Sequence, residues 1–125
     1  MFEKFDEKTV EILGTEYTIF VRKYDEDQLF KNNDWVGYCS NNGKYIVICN
    51  LTTHPTGVHA PYTLLLNEMK RNLRHELTHA FLHESGLASN SYATPSSWAD
   101  NEEMVDWFAL QSPKMFKLFK ELELV

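Results

Sequence analysis

The chain has 125 residues, of which 43% are hydrophobic and 14% aromatic, and its formal net charge is −6. These values are typical of one folded domain, spanning 1–125, with a single core, and they exclude a disordered chain. The acidic balance argues against nucleic acid as a partner, because binding to phosphates requires clustered Lys and Arg. No apolar run reaches the roughly 18 residues of a membrane span, and the N-terminus is polar. We therefore expect a cytoplasmic protein with no membrane contact, and the sequence predicts no particular oligomeric state.

The first half of the chain is predicted to be rich in strands. Apolar residues alternate through 11–23, with Gly14-Thr15 as a turn between two strands. Residues 35–50 form the clearest hairpin, because Asn42-Gly43 suits the positive φ angles of a type I′ turn. The segment 24–34 between them is either a short helix or a loop. By analogy of fold, we expect an extended substrate to add to an exposed sheet edge near Tyr45–Cys49.

The two cysteines are predicted to be free thiols. The hairpin turn pairs Cys39 with Ile46 and Cys49 with Val36, which places the two sulfur atoms on opposite faces of the ribbon. A disulfide between them is therefore unfavourable, and reduced thiols are typical of a cytosol.

The second half is predicted to be helical. A long helix extends from Pro61 to about Ser85, with Gly86 as its C-terminal cap. Its apolar residues fall within one arc: Tyr62, Leu66, Met69, Leu73, Leu77 and Ala80. After a loop, Ser96 or Ser97 is expected to cap a helix that ends near Leu110. Ser112-Pro113 then resembles the start of a separate, final amphipathic helix.

The long helix carries the motif H-E-x-x-H at His75, Glu76 and His79. Residues four apart on a helix differ by about 40° around its axis, so both imidazoles project from one side and can bind one ion. They lie away from the apolar arc, measured to Leu73 and Leu77. Glu76 lies about 100° around from His75, where a base acting on a metal-bound water is wanted. The competing interpretation is a helix surface that happens to be rich in histidine.

A zinc site of this type needs a third protein ligand and an open position for water. His83 remains on the same straight helix, so it cannot converge with the other two histidines, and we interpret it as a rim residue favoured by the helix dipole. Glu102 and Asp106 are better candidates, because they form another pair four residues apart and an apolar stripe flanks them. One carboxylate can bind zinc while the other accepts a hydrogen bond from a ligand histidine. The alternative is an acidic first turn favoured by the helix dipole.

H-E-x-x-H followed by "NEEMVD" resembles the gluzincins, and "HELTHAFLHESG" with "NEEMVDWFA" resembles the short metallopeptidase domains of the ImmA/IrrE type. The likeness covers 73–110 and is nearest to small proteins of phages and mobile elements of Gram-positive bacteria. It implies that His75, His79 and Glu102 bind zinc, that Glu76 is the general base and that Asp106 supports a histidine. Glu103 is the alternative third ligand. Two features depart from the family: Val105 stands where a small residue is usual, and no helix-turn-helix segment is visible.

The resemblance implies an α+β, zincin-like (minimal gluzincin) fold, with a small N-terminal sheet packed on the active-site helix and helices at the C-terminus. It implies a zinc-dependent metallopeptidase acting on a protein or peptide, as a regulatory protease for a specific protein such as a repressor. Candidates for stabilising the oxyanion are Tyr92, His83 and His54. Two alternatives remain: an inactive zincin-like domain that binds a protein partner, and a purely structural zinc.

Overall fold

A computed structural model describes residues 2–57, 59–90, 92 and 94–125. The protein is α+β, with a four-stranded sheet followed by two long helices, as the sequence predicts. The elements are β1 (Lys8–Ile12), β2 (Thr15–Lys23), α1 (Gln28–Asn33), β3 (Gly37–Ser40), β4 (Tyr45–Asn50), α2 (Tyr62–Glu84) and α3 (Glu102–Glu121). None of the helices in these ranges combines the length and apolar character needed to cross a membrane.

The sheet is mixed, in the order β1-β2-β4-β3. β2 and β4 are parallel, while β1 with β2 and β3 with β4 form antiparallel hairpins. The segment Tyr45–Cys49 therefore lies in a central strand and is not itself an exposed edge. The edge on that side is β3, which packs beside α2.

The two hairpin turns differ from the predicted ones. Leu13 and Gly14 join β1 to β2, with φ angles of 48° and 89°, so the type I′ conformation occurs here, one residue before the expected turn. In the second hairpin the predicted pairing of Cys39 with Ile46 is confirmed. Its turn, however, is longer than the predicted two residues, and the positive φ belongs to Lys44 rather than to Asn42 or Gly43.

Ser40 explains the second turn. Its hydroxyl accepts a hydrogen bond from the Gly43 N–H at 3.0 Å, and its carbonyl accepts one from the Lys44 N–H at 2.8 Å. These bonds stabilise the turn, so neither Asn42 nor Gly43 has to adopt a left-handed backbone conformation. Cys39 and Cys49 are both free, as predicted, and burial raises the pKa of each thiol to about 12.

The core lies between the sheet and α2. It is formed by the inward-facing residues of the strands and by one face of the helix, including Tyr17, Ile19, Ile46, Ile48, Leu65, Met69 and Leu73. Leu65 rather than Tyr62 begins the buried face of α2. The helix ends where predicted, because Gly86 adopts a φ of 90° that an L-residue rarely takes.

The end of α2 is tied to the sheet by Glu84. Its carboxylate accepts hydrogen bonds from the Thr15 and Tyr17 hydroxyls, each at 2.7 Å, and pairs with the Lys44 ammonium at 2.8 Å. These bonds lower the pKa of Glu84 to about 2, and Lys44 makes the largest contribution. The network fixes how far along the sheet the helix lies.

The final helix is continuous, so the predicted break at Ser112-Pro113 is wrong. Asn101 caps α3, its side chain accepting the Met104 N–H at 2.9 Å, while Ser97 precedes only the short turn Trp98–Asp100. Pro113 has no N–H to donate to the Ala109 carbonyl one turn earlier.

The carbonyl that Pro113 leaves free has a different donor. The Nε of Arg74, on α2, donates to the Ala109 oxygen at 2.7 Å. A side chain of the neighbouring helix thus replaces the missing backbone bond, which allows α3 to pass through the proline and also fastens it to α2.

Candidate metal centre

Two histidines of α2 face the same point, as their spacing predicts. The Nε2 atoms of His75 and His79 are 3.2 Å apart, and both side chains are 18% exposed. Burial lowers the pKa of His79, although the Glu102 carboxylate opposes this. A lowered pKa favours the neutral imidazole, which is the form that binds a metal ion.

The first residue of α3 completes the group. Glu102 Oε1 lies 2.5 Å from His79 Nε2 and 3.4 Å from His75 Nε2. Among the ion pairs of the described residues, both histidines contact Glu102 and neither contacts the adjacent Glu103. The geometry therefore favours Glu102 as the third donor.

The other nitrogen of His75 also faces α3. Asp106 Oδ1 lies 3.4 Å from His75 Nδ1. Asp106 thus stands where a carboxylate orients a ligand histidine and fixes its tautomer. Because Asn101 caps α3, Glu102 and Asp106 occupy its first two turns, one above the other.

Two of the three separations between the donor atoms fit a zinc ion. Ligand bonds of about 2.0–2.1 Å in tetrahedral geometry separate the donors by about 3.3 Å. The separations of 3.2 Å between the histidines and 3.4 Å from His75 to Glu102 match this value. The 2.5 Å from His79 to Glu102 is that of a short hydrogen bond, so zinc requires a small outward shift of one carboxylate.

Glu76 lies on the buried side of the site, against the sheet. It is 7% exposed, and its Oε1 is 3.9 Å from His75 Nε2. Burial, and then the negative charge of Glu102, raise its pKa to about 8. Its Oε2 is buried and has no hydrogen-bond partner within the described part of the chain. A buried carboxylate oxygen without a partner is costly, and such atoms are found where a water or substrate is expected.

Gly37, the first residue of β3, lies beside the Glu76 side chain. A Cβ there would lie 3.1 Å from the Cδ1 of Ile48 and 3.6 Å from the Cγ of Glu76. The tight contact is the one with Ile48 of β4, whereas the distance to Glu76 is an ordinary van der Waals contact. In this hairpin the sequence predicts a role only for the Asn-Gly pair of the turn. Gly37 is therefore not predicted as a residue of the site.

A cavity of about 500 Å³ opens over these groups, between the start of β3, α2 and the start of α3. Besides the residues above, Trp35, Cys39 and Arg71 line it. The sequence analysis identifies neither Trp35 nor Arg71 as a site residue. The signal for Arg71 is its position four residues before His75, which places it on the same side of the helix.

Three residues proposed for the oxyanion do not line this cavity: Tyr92, His83 and His54. Tyr92 is 90% exposed, and His54 accepts the Thr56 N–H in a neighbouring cavity. The structure therefore does not bring these residues to the site.

The surroundings of the two α3 carboxylates also differ from expectation. The side chains of Glu102 and Asp106 are 73% and 46% exposed. Val105 and Ala109 form the buried face of α3, and Trp98 is exposed. The acids thus lie at the border of the apolar stripe, facing the histidines, rather than within it.

No protein-family model, curated protein or solved structure matches the chain. The likeness to the ImmA/IrrE type therefore depends on the residues of 73–110 quoted above.

Proposed function

We propose that this chain is a zinc-dependent metallopeptidase with a zincin-like, minimal gluzincin domain similar to the ImmA/IrrE type. The observation that carries the proposal is the convergence of His75 Nε2, His79 Nε2 and Glu102 Oε1, with separations of 2.5 to 3.4 Å. Two consecutive helices supply these donors, and Asp106 faces the outer nitrogen of His75.

Zinc, when bound, lowers the pKa of a water molecule and polarises the carbonyl of the scissile peptide. Glu76 is placed to accept the proton of a water held there and to deliver it to the leaving amine, and the positive charge of a bound ion would lower the raised pKa of this carboxyl so that it could do so. Its unpartnered Oε2 suits this role, because no other hydrogen bond has to break first. Glu102 and the two histidines hold the ion, and Asp106 keeps His75 in the tautomer whose Nε2 is free to bind.

The edge strand β3 supplies a place for an extended substrate. Its residues Gly37, Tyr38 and Cys39 line the cavity, and β4 pairs with only one of its sides. A peptide that adds to the outer side of β3 passes over the histidines, with its backbone hydrogen-bonded to the strand. We therefore propose a protein or peptide substrate; the idea of a specific regulatory target such as a repressor rests on the family resemblance.

Metal content tests the site itself. Protein purified after zinc supplementation should contain about one zinc per chain by elemental analysis. His79→Ala and Glu102→Ala should lose it, whereas Glu76→Gln should keep it. Glu103→Ala is the matched control, since this neighbour makes no ion pair with either histidine. Wild-type protein without metal, or equal zinc loss in both glutamate variants, would refute the assignment.

Hydrolysis tests the reaction. A random peptide mixture is incubated with zinc-loaded wild type and with Glu76→Gln, and new amino termini are detected by mass spectrometry. We expect cleavage by the wild type alone. Zinc binding without cleavage would instead favour the binding-module alternative, and unfolding by a chelator would favour a structural zinc.

A further inference from the structure

Arg71 is a charged residue of the cavity to which the described part of the chain supplies no hydrogen bond or ion pair. Its Nε is buried and has no hydrogen-bond partner within the described residues. The ion pairs found in those residues do not include it. A guanidinium is always charged and offers five N–H donors, and a buried donor without a partner is costly.

The surroundings of Arg71 increase that cost. The neighbouring Arg74 is close enough for its pKa to be lowered, first by burial and then by the charge of Arg71. Arg74 is held by the Ala109 carbonyl, whereas Arg71 is not held by an equivalent group. Glu68, one turn earlier on α2, is not ion-paired with it either, although both line a neighbouring cavity.

Arg71 stands where two cavities meet. The site cavity of about 500 Å³ and a second cavity of about 400 Å³ share three wall residues, Val36, Arg71 and Asn72. The second cavity extends from this wall along the first half of α2 toward Thr56 and Leu64. A chain that leaves the histidines in this direction must pass Arg71.

The charges of the site cavity also single out this residue. The carboxylates of four residues line it: Asp34, Glu76, Glu102 and Asp106. Among the described residues that line it, Arg71 alone is a lysine or an arginine. Arg71 is thus the permanently cationic group of this lining that can pair with a carboxylate of a substrate.

The spacing sets where that carboxylate belongs. Arg71 is four residues before His75, which is about 6 Å along the helix axis. An extended peptide advances about 3.3 Å per residue. A peptide bond at the histidines therefore brings a group about two residues away to Arg71.

We infer that Arg71, with Asn72 beside it, determines specificity by binding a substrate carboxylate about two residues from the cleaved bond. The inference rests on the proposed function for the position of the bond. The carboxylate belongs either to an acidic side chain or to the C-terminus of a substrate, and Arg71 recognises the same chemistry in both.

Binding by the uncleaving Glu76→Gln protein, loaded with zinc, tests the inference without requiring hydrolysis. Three matched hexapeptide mixtures serve as probes. The first has an amidated C-terminus and Gln at one fixed position, the second replaces that Gln by Glu, and the third restores the free C-terminal carboxylate. The fixed position is moved along the peptide in separate mixtures. Affinity is measured by calorimetry, supported by the fluorescence of Trp35, which lines the cavity.

We expect one of the two carboxylate-bearing mixtures to bind about 10–100-fold more tightly than the neutral one, as for a charge-assisted bidentate hydrogen bond. Arg71→Gln should abolish this difference, and Arg71→Lys should restore part of it. Lys70→Gln is the matched control, because this exposed neighbour does not line the cavity and should keep the full preference.

Each result of the binding experiment either supports or overturns the proposed role of Arg71. Tighter binding of the Glu mixture identifies a side-chain carboxylate, and tighter binding of the free-acid mixture identifies the C-terminus. Equal binding of all three mixtures, or a preference that survives Arg71→Gln, would overturn the inference. Hydrolysis by the zinc-loaded wild type is followed in parallel, so a preference without cleavage refutes only the proposed reaction, and cleavage without a preference refutes only the role of Arg71.

Discussion

The hydrogen bond from Arg74 to the Ala109 carbonyl should contribute to the free energy of unfolding only because residue 113 is proline. Arg74→Met keeps the apolar stem and removes the donor, which leaves a carbonyl of a fully buried residue without a partner. Loss of a charge-assisted bond to a buried acceptor costs about 1.5–3 kcal/mol. Pro113→Ala supplies the backbone N–H that the carbonyl otherwise lacks. In that background, the same arginine substitution should cost less than about 1 kcal/mol.

Urea unfolding of the four proteins, wild type, both single variants and the double variant, gives the coupling free energy directly. Circular dichroism follows the transition, and Arg74→Lys is a further control because it keeps the charge but not the planar guanidinium. Additive effects, within about 0.5 kcal/mol, would refute the reasoning. Zinc affinity should follow stability in this series, since α3 carries Glu102.

Three further predictions concern other parts of the molecule. Asp106→Asn should lower zinc affinity by about 10–100-fold with little change in folding, measured by competition with a chelating dye; unchanged affinity would contradict its contact with His75. The folded pKa of Glu84, about 2, lies below its unfolded value of about 4.3, so its stabilisation is complete above that value and is lost as pH falls toward 2. Urea unfolding at several pH values should therefore show a shallower acid loss in Glu84→Gln; identical pH profiles would count against the network. Gly57→Ala should destabilise by about 1–3 kcal/mol, because its Cβ would lie 2.2 Å from the Leu51 carbonyl oxygen. Gly86→Ala meets no atom and should cost about 1 kcal/mol of conformational strain, so equal thermal shifts for both variants would argue against a steric cause at Gly57.

The long helix and its histidine pair could be predicted because their signals are local. A spacing of four residues fixes the relative direction of two side chains whatever the rest of the fold does. The partnership of Glu102 with the histidines was inferred from the family resemblance and from its spacing to Asp106. The structure brings these residues within contact distance, while the metal and the reaction remain proposals.

The break in α3 was predicted wrongly because a local rule was overridden by a contact from another helix. Ser112-Pro113 is a good helix start by itself, and the alternative depends on a hydrogen bond from Arg74, far away in the sequence. That bond joins two helices, so the local sequence pattern cannot predict it. The same reasoning applies to Arg71, because only the three-dimensional structure shows that the described residues offer its Nε no partner.

The two hairpin turns are a second place where the local sequence does not predict the backbone conformation. Asn42-Gly43 has the preferred residues for a type I′ turn but does not adopt it, while Leu13 adopts a left-handed conformation that leucine disfavours. Ile12 pairs with Thr15 in the first hairpin and Ser40 with Tyr45 in the second, which leaves two residues for the first turn and four for the second. The central position of β4 was missed because a parallel pair leaves no adjacent turn signal in the sequence.

The parallel pairing of β2 with β4 has a kinetic consequence. Each hairpin joins neighbours in the chain, but the pairing of β2 with β4 encloses α1 and β3 between them, and such non-local closure is slow. The helix with the histidine pair packs on β3 and β4. Its final position, next to Gly37, therefore depends on this late step. We expect a metal ion added during refolding to leave the rate of sheet formation unchanged and to bind only once the sheet is complete.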